Sequence, residues 1–459
     1  MKKDLNKFFV GPKDNLKEVM KVINLNGNGV ALVVDENNIL LGIVTDGDIR
    51  RSIIQGTDLE SPVNEIMNKN PVIIDKDSDQ KPIFETIKKK FISHIPVVDK
   101  EKKVCDIWLR SELIGLSRTG FFPQQIPNKE KRILVIGGAG YIGSVLTKQL
   151  LDKGYSVRVL DKLLYSKESI DLFKEHKKFS FIQGDIGHVE KIVEAIKGAD
   201  AVVQLAEIVG DPACAIDPQE TQQVNYISTT LVANICRYFQ INRFIYTSSC
   251  SVYGANEDTQ LLNEESCLNP VSLYARMKIE SEKSILNMTD DVFSPTILRL
   301  ATVFGESPRM RFDLVVNILT AKAIKESKIT VFGGDQWRPL VHVSDVARAI
   351  IVILESPINK IKGEVFNVGS NKNNFTINQI GELIKQTIPS ANLLIEDKDV
   401  DKRNYRVDFS KIQNILNFQA KFSVLDGIVE ISRSLQEGKY PDYSNERYHN
   451  YNFIYKNQK

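Results

Sequence analysis

Cysteine is sparse in this chain of 459 residues. There are five, Cys105, Cys214, Cys236, Cys250 and Cys267, odd in number and without metal-type spacing. A disulfide scaffold is not expected, and a reducing cytoplasm is the natural setting. Histidine is equally scarce, with five in all. His94, His188 and His342 stand amid apolar or capping residues and read as structural, so no metal site is expected. No charge of one sign dominates. Sixty Lys+Arg against 58 Asp+Glu leave +2, which creates no field to draw a nucleic acid or other polyanion. No apolar run reaches the length of a membrane span, and Met1-Lys2-Lys3-Asp4-Leu5 leads into no signal-type segment. What remains is a soluble cytoplasmic protein of two or three domains, since the chain is too long for one ordinary core.

The first 120 residues repeat themselves. Ala31-Leu32-Val33-Val34-Asp35 returns as Ile95-Pro96-Val97-Val98-Asp99 at an offset of 64, which also carries Gly42 to Asp106, Ile43 to Ile107, Thr45 to Leu109 and Asp48 to Glu112. Each copy reads as helix, Val/Ile-rich strand, charged turn, second strand and helix, a unit with one bare sheet face that a second copy can cover. The two copies, about 1–60 and 61–118, resemble a tandem pair of cystathionine-β-synthase-type (CBS) regulatory domains. The resemblance implies that the Thr45 hydroxyl meets a nucleotide phosphate and the Asp48 carboxylate its ribose. Leu109 and Glu112 depart from that pattern, so a single adenine-nucleotide site is implied. Thr45 and Asp48 are equally suited to capping the next helix.

Residues 119–130, with two prolines and a glycine in the run from Ser117 to Asn128, read as a linker. From Lys131 onward apolar strands alternate with helices, the mark of a parallel sheet covered on both faces. Arg132–Ile136 is an apolar strand. Gly137-Gly138-Ala139-Gly140-Tyr141-Ile142-Gly143 follows it, then a helix whose N-terminal amides suit a diphosphate. Gly137 permits the tight turn, Gly140 the approach of the diphosphate, and Gly143 close helix packing. A second strand ends in Asp161, 18 residues beyond Gly143, near the spacing for a carboxylate on the ribose 2′-hydroxyl. That charge favours NAD over NADP, and neighbouring Lys162 weakens the preference slightly. Asp185 and Ile186 end the strand expected near the adenine. Leu205 and Ala206 end the one expected near the nicotinamide.

A further strand, Arg243–Tyr246, leads into a Ser-rich end with Ser249. Tyr274 and Lys278 follow at i, i+4 on one helix face. A phenol near pKa 10 is a poor base. A lysine one turn away and the positive nicotinamide ring are both expected to favour the phenolate, which can then take a proton from a sugar alcohol. Lys278 would also hold the nicotinamide ribose, and Ser249 the reacting oxygen.

Together these residues resemble an extended short-chain dehydrogenase/reductase of the nucleotide-sugar epimerase/dehydratase family, from Lys131 to about Glu437. The fold implied is α/β. A Rossmann-type doubly wound parallel sheet (131–300 within a domain of 131–459) is joined to a smaller C-terminal substrate-binding region (301–437), and the α+β CBS pair precedes both. The family's residues map onto Gly137, Gly140, Gly143, Asp161, Asp185, Ser249, Tyr274 and Lys278. Arg338 and Arg403 resemble the pair that clasps a nucleoside diphosphate, chemistry that suits guanidinium forks. Where UDP-galactose 4-epimerases place an Asn after the strand, this chain reads Ile297-Leu298-Arg299-Leu300-Ala301-Thr302, which leaves Thr302 on the substrate side.

Dehydratases of the family carry Asp-Glu after the catalytic hydroxyl residue, where this chain has Cys250 and Ser251. The resemblance therefore implies an epimerase, most simply at C4, with bound NAD. A 4,6-dehydratase or keto-sugar reductase of the same fold, and a non-catalytic nucleotide- and NAD-sensing protein, are the alternatives. Glu207 and Asp211 fall near the sugar, either to select it or to cap a loop. A homodimer is implied by resemblance, and Tyr440–Lys459 is expected to line a subunit contact or stay loose.

Overall fold

The computed structural model describes residues 5–26, 29–54, 56–77, 94–109, 131–255, 261–397, 401 and 403–457. The chain divides into two compact units, 1–123 and 124–459. Glu112 and the 119–130 segment lie outside the described residues.

In the first unit the repeat is visible as paired geometry. Phe9–Val10 lies parallel to Val30–Val34, which pairs antiparallel with Leu40–Thr45. Ile74–Asp75, His94–Val98 and Val104–Leu109 repeat that arrangement. The register shifts between Val33 and Val34 in the first copy and between Val97 and Val98 in the second, so even the irregularity recurs at the offset of 64. Each sheet needs its apolar face covered, and the copies cover one another. Phe8, Val30, Leu32, Val34 and Ile43 share a cluster with Val98, Val104 and Ile107.

The second unit is built on a seven-stranded parallel sheet. From one edge the strands run Glu364–Val368, Ser294–Leu300, Arg243–Ser249, Ala201–Gln204, Arg132–Ile136, Ser156–Asp161 and Phe179–Gln183. Their apolar runs are continuous because both faces are buried. Along Arg132–Ile136, Ile133 and Val135 enter one core cluster while Leu134 and Ile136 enter the other. All four are fully buried, and truncating such a side chain to alanine costs about 2–5 kcal/mol. Chain order reverses direction between Arg132–Ile136 and Ala201–Gln204, and ligands of such sheets bind beyond the strand C-termini at that reversal.

Shorter pairings complete the C-terminal part. Thr302–Phe304, Trp337–His342 and Asn374–Thr376 form one small sheet, and Lys328–Phe332 with Asn392–Glu396 another. The described part of the chain end packs onto the body of this unit. The Phe312 ring meets Tyr440, Tyr443 and Tyr448 edge-on at 5.3–5.8 Å, and Ile454 packs with Ile208, Ala213 and Cys214. Aromatic density anchors this tail, which ends in the helix Asn450–Asn457. No helix of the described residues is long and apolar enough to cross a membrane.

Candidate functional site

The glycine turn separates three steric roles. Gly137 has φ +84°, and a Cβ there would lie 2.6 Å from the Ala206 amide nitrogen. A Cβ on Gly143 would run into the Gly137 carbonyl, so this glycine lets the helix Tyr141–Asp152 sit on the turn. Gly140 differs from both. Its Cβ would meet only the Gly137 oxygen, at 3.2 Å, so what its bareness opens is the cleft. Gly137, Gly140, Tyr141, Ile142 and Gly143 all line that cleft.

Asp161 ends its strand with one carboxylate oxygen tied to the glycine turn and the other to the loop that follows the strand. Ala139 N donates at 3.0 Å and Leu163 N at 2.8 Å. Burial raises its pKa, opposed by those amides and by Lys162. Asp161, Asp185, Ile186, Leu205 and Ala206 line the same cleft. Lys162 turns to Asp185 at 3.3 Å.

Ser249 closes the strand Arg243–Ser249 and accepts from the Ser251 amide at 3.1 Å. Tyr274 and Lys278 ride on the helix Leu273–Asn287, begun by the Ser272 hydroxyl accepting from Ala275 N. The buried face of this helix runs Ala275, Lys278, Ile279, Glu282, Ile285, a 3.6-residue stripe that carries the lysine inward. Lys278 is 4% exposed. Its ammonium donates to the Thr247 carbonyl at 2.5 Å and pairs with Glu207. Glu207 also accepts from the Tyr246 hydroxyl at 2.7 Å. Burial raises the Glu207 pKa, with Lys278 opposing.

Here the structure corrects an expectation. The Lys278 ammonium, 5.5 Å from the Tyr274 ring centre, does not make that phenol acidic. Tyr274 is held well above the ordinary phenol value, first by burial and then by the charge of Glu207, with Cys214 and Asp211 adding to it. The lysine's charge is spent on Glu207, so the protein by itself keeps Tyr274 protonated.

Ser249, Tyr274, Lys278, Thr302 and Arg403 line the cleft, and Arg338 does not. Arg338 is 4% exposed, ion-paired with Asp401 at 2.9 Å and bonded to the Arg403 carbonyl. It positions the loop that carries Arg403. Arg403 in turn reaches Asp211 at 3.1 Å. Cys250 is buried, donates to the Arg299 carbonyl at 3.3 Å, and has its thiol pKa pushed far up by burial. It is packing, not an acid. Sequence reasoning passed over Arg309, Arg311, Tyr165 and Asn450, all of which line the cleft. Two arginines in Ser307-Pro308-Arg309-Met310-Arg311, just past a sheet strand, were the available signal; Asn450 had none.

In the first unit, the Thr45 hydroxyl and amide donate to one Asp48 carboxylate oxygen, at 2.6 and 2.9 Å, and Asp48 N returns a bond to the hydroxyl at 3.3 Å. This reciprocal pair opens the helix Asp46–Ile54. Among the described residues no cluster of His, Cys, Asp and Glu is arranged to hold a metal.

A family model described as the NAD dependent epimerase/dehydratase family matches residues 133–369, over half of the chain. The chain belongs to the NAD dependent epimerase/dehydratase family. NAD is the cofactor of that family, and CBS domain models match residues 1–55 and 63–118. The epimerase/dehydratase unit is 30% identical over 325 residues to UDP-glucuronic acid decarboxylase 1 of Arabidopsis thaliana, covering 68% of this chain and 72% of that one. Identity is 29% over 311 residues to an uncharacterized UDP-glucose epimerase of Bacillus subtilis (strain 168), covering 65% and 95%. Among solved structures, a UDP-glucuronic acid 4-epimerase from Bacillus cereus in complex with UDP-glucuronic acid and NAD matches with a TM-score of 0.60 at 26% identity, over 67% of this chain and 99% of that one.

Proposed function

We propose that this family member is a nucleotide-sugar epimerase that inverts C4 of an NDP-hexose by way of a keto-sugar, with NAD retained between turnovers. The observation that carries the reading is the convergence of Ser249, Tyr274 and Lys278 on the cleft of the glycine turn, with no acid at the two positions after Ser249. The names of its relatives support epimerisation but include decarboxylation, so the distinction rests on Cys250 and Ser251.

The residues fit NAD. Gly140 leaves open the space a side chain would fill, Asp161 offers carboxylate lone pairs beside the turn, and the helix from Tyr141 presents its amides. When bound, NAD supplies a two-electron acceptor that is restored within each cycle. The chain's own side chains handle orientation and the proton. Ser249 hydrogen-bonds the reacting sugar oxygen, and Tyr274, in the phenolate form that the positive nicotinamide ring would favour, takes the alcohol proton and later returns it. Lys278, held by Thr247 and Glu207, fixes the ribose side of the site. Thr302 and Arg403 face the nucleotide of the substrate, with Arg338 setting the position of Arg403. An adenine nucleotide at Thr45 and Asp48 regulates the enzyme, which by resemblance works as a cytoplasmic homodimer.

The test is product analysis of purified protein incubated with UDP-glucose or UDP-glucuronic acid, by chromatography and mass spectrometry. An epimer of unchanged mass, without accumulation of NADH, is expected. Glu207, a buried carboxylate whose charge reaches Tyr274, gives a dehydratase or decarboxylase reading its one foothold. Loss of water or carbon dioxide from the sugar would establish that reading instead.

A further inference from the structure

Arg309 is a cation in the cleft with no counter-ion among the described residues. Arg309 is 5% exposed, and among the described residues no carboxylate forms an ion pair with it. Asp313, the carboxylate whose charge acts most on it, is held bidentate by Arg311 at 2.9 and 2.9 Å. Arg309 Nη2 donates to the neutral Asn450 Oδ1 at 2.7 Å, while its Nε has no acceptor. The Tyr165 hydroxyl, on the ring 3.9 Å beneath the guanidinium, is likewise buried without a partner. Burial and the like charge of Arg311 pull the Arg309 pKa down to about 10, the expected strain of a cation lacking compensation. A buried charge of this kind is costly unless something pairs with it.

Its location says what would pair with it. Ser307, two residues earlier, donates to the Tyr141 carbonyl at 2.7 Å and bonds the Ser144 hydroxyl at 3.1 Å, and Arg309 N donates to Ser307 Oγ at 3.3 Å. The arginine is thus pinned to the first turn of the helix that follows the glycine turn. Tyr165 lies four residues beyond Asp161, and the Arg309 charge acts on Asp161 itself. Arg309 therefore stands over the cofactor half of the cleft, whereas Arg403 and Thr302 stand over the substrate half.

We propose that Arg309, braced by Asn450 and stacked on Tyr165, is an anion-binding residue for the diphosphate of the dinucleotide. Its guanidinium fork supplies side-chain donors opposite the backbone amides of the glycine turn. Asn450 also donates to the Val209 carbonyl at 3.2 Å and, through its amide, to Asp313 at 3.1 Å. The C-terminal helix Asn450–Asn457 thereby sets the guanidinium in place and forms part of the cofactor site. The proposal rests on the cleft being a dinucleotide site, and on nothing about the sugar.

The test is calorimetric titration of NAD-stripped, full-length protein with NAD, ADP-ribose, AMP and UDP, for wild type, Arg309→Met and Arg309→Lys. Arg309→Met is expected to weaken NAD and ADP-ribose by about 10- to 100-fold, the scale of a charged hydrogen bond, and AMP and UDP by less than about threefold. Arg309→Lys keeps the charge without the fork and is expected to fall between, which preserves the test if the Met variant does not fold. Unchanged NAD affinity in both variants would overturn the proposal. So would loss confined to UDP, which would assign the arginine to the substrate diphosphate. Wild-type protein binding neither NAD nor ADP-ribose would instead overturn the dinucleotide reading of the cleft.

Discussion

Glu207 and Lys278 form an ion pair inside the catalytic cleft, with side-chain exposures of 2% and 5%. The pair occupies the lysine that was expected to activate Tyr274, and it adds a negative charge that holds the phenol protonated. Turnover that needs a phenolate rises with pH through the tyrosine pKa, so a raised pKa moves that limb to higher pH. Glu207→Gln removes the raising charge and frees the ammonium. The limb of kcat against pH is expected to move to lower pH in this variant. An unmoved limb would show that Asp211, Cys214 and burial alone set the tyrosine, and one moved upward would contradict the raising role of Glu207.

The glycines of the turn should fail in different ways. Gly140 has φ −76°, so Gly140→Ala carries no backbone strain, and its methyl meets only one oxygen within the protein. It is expected to fold with a near-native Tm and to lose NAD affinity by at least about tenfold, as a side chain enters the space of the diphosphate. Gly143→Ala forces backbone against backbone, and is expected to lower stability by about 1–3 kcal/mol or more. Calorimetry and thermal melts of the two variants separate these outcomes.

We propose that Asp161 sets the choice between dinucleotides by repelling a 2′-phosphate. Asp161→Asn keeps an acceptor for one of the two amides that the carboxylate now serves. The ratio of NAD to NADP affinity is expected to fall by about tenfold or more, since tenfold is only 1.4 kcal/mol of discrimination. An unchanged ratio would place the discrimination elsewhere in the cleft.

Thr45 and Asp48 already satisfy one another at a helix start, so the nucleotide proposal must be tested by response rather than by baseline stability. Asp48→Ala is expected to cost about 0.5–2 kcal/mol as a lost cap whatever else it does. Saturating AMP or ATP, at about a hundred times Kd, should stabilise wild type by about 2.7 kcal/mol in a thermal shift and leave the variant unmoved. Equal response in both would leave the pair a cap and nothing more.

Much of this was legible in the residues. The repeat in the first unit could be found by offset alone, and the structure adds a matched register shift after Val33 and Val97. The dinucleotide turn was legible because steric demands at Gly137 and Gly143 are local and leave a fixed spacing. The electrostatics of Tyr274 and Lys278 were not. Lys278 is committed to a carboxylate 71 residues earlier in the chain (278 to 207), and helical spacing to Tyr274 carries no information about that partner. Arg309 and Arg338 show the same limit. Both are arginines in motif-like segments, yet Arg338 is neutralised by Asp401 while Arg309 is braced by Asn450 across 141 residues. Which cation stays available for a ligand is decided by tertiary pairing.

The most direct measurement of the central claim follows a deuterium placed at C4 of the NDP-hexose through single turnover. If Tyr274 carries only the alcohol proton while C4 is oxidised and restored within one enclosed site, the label should stay on C4 of the epimer. It should be absent from water, and Tyr274→Phe should slow formation of that product by about 10²- to 10⁴-fold. Deuterium released to solvent, or a Tyr274→Phe variant as fast as wild type, would contradict the account.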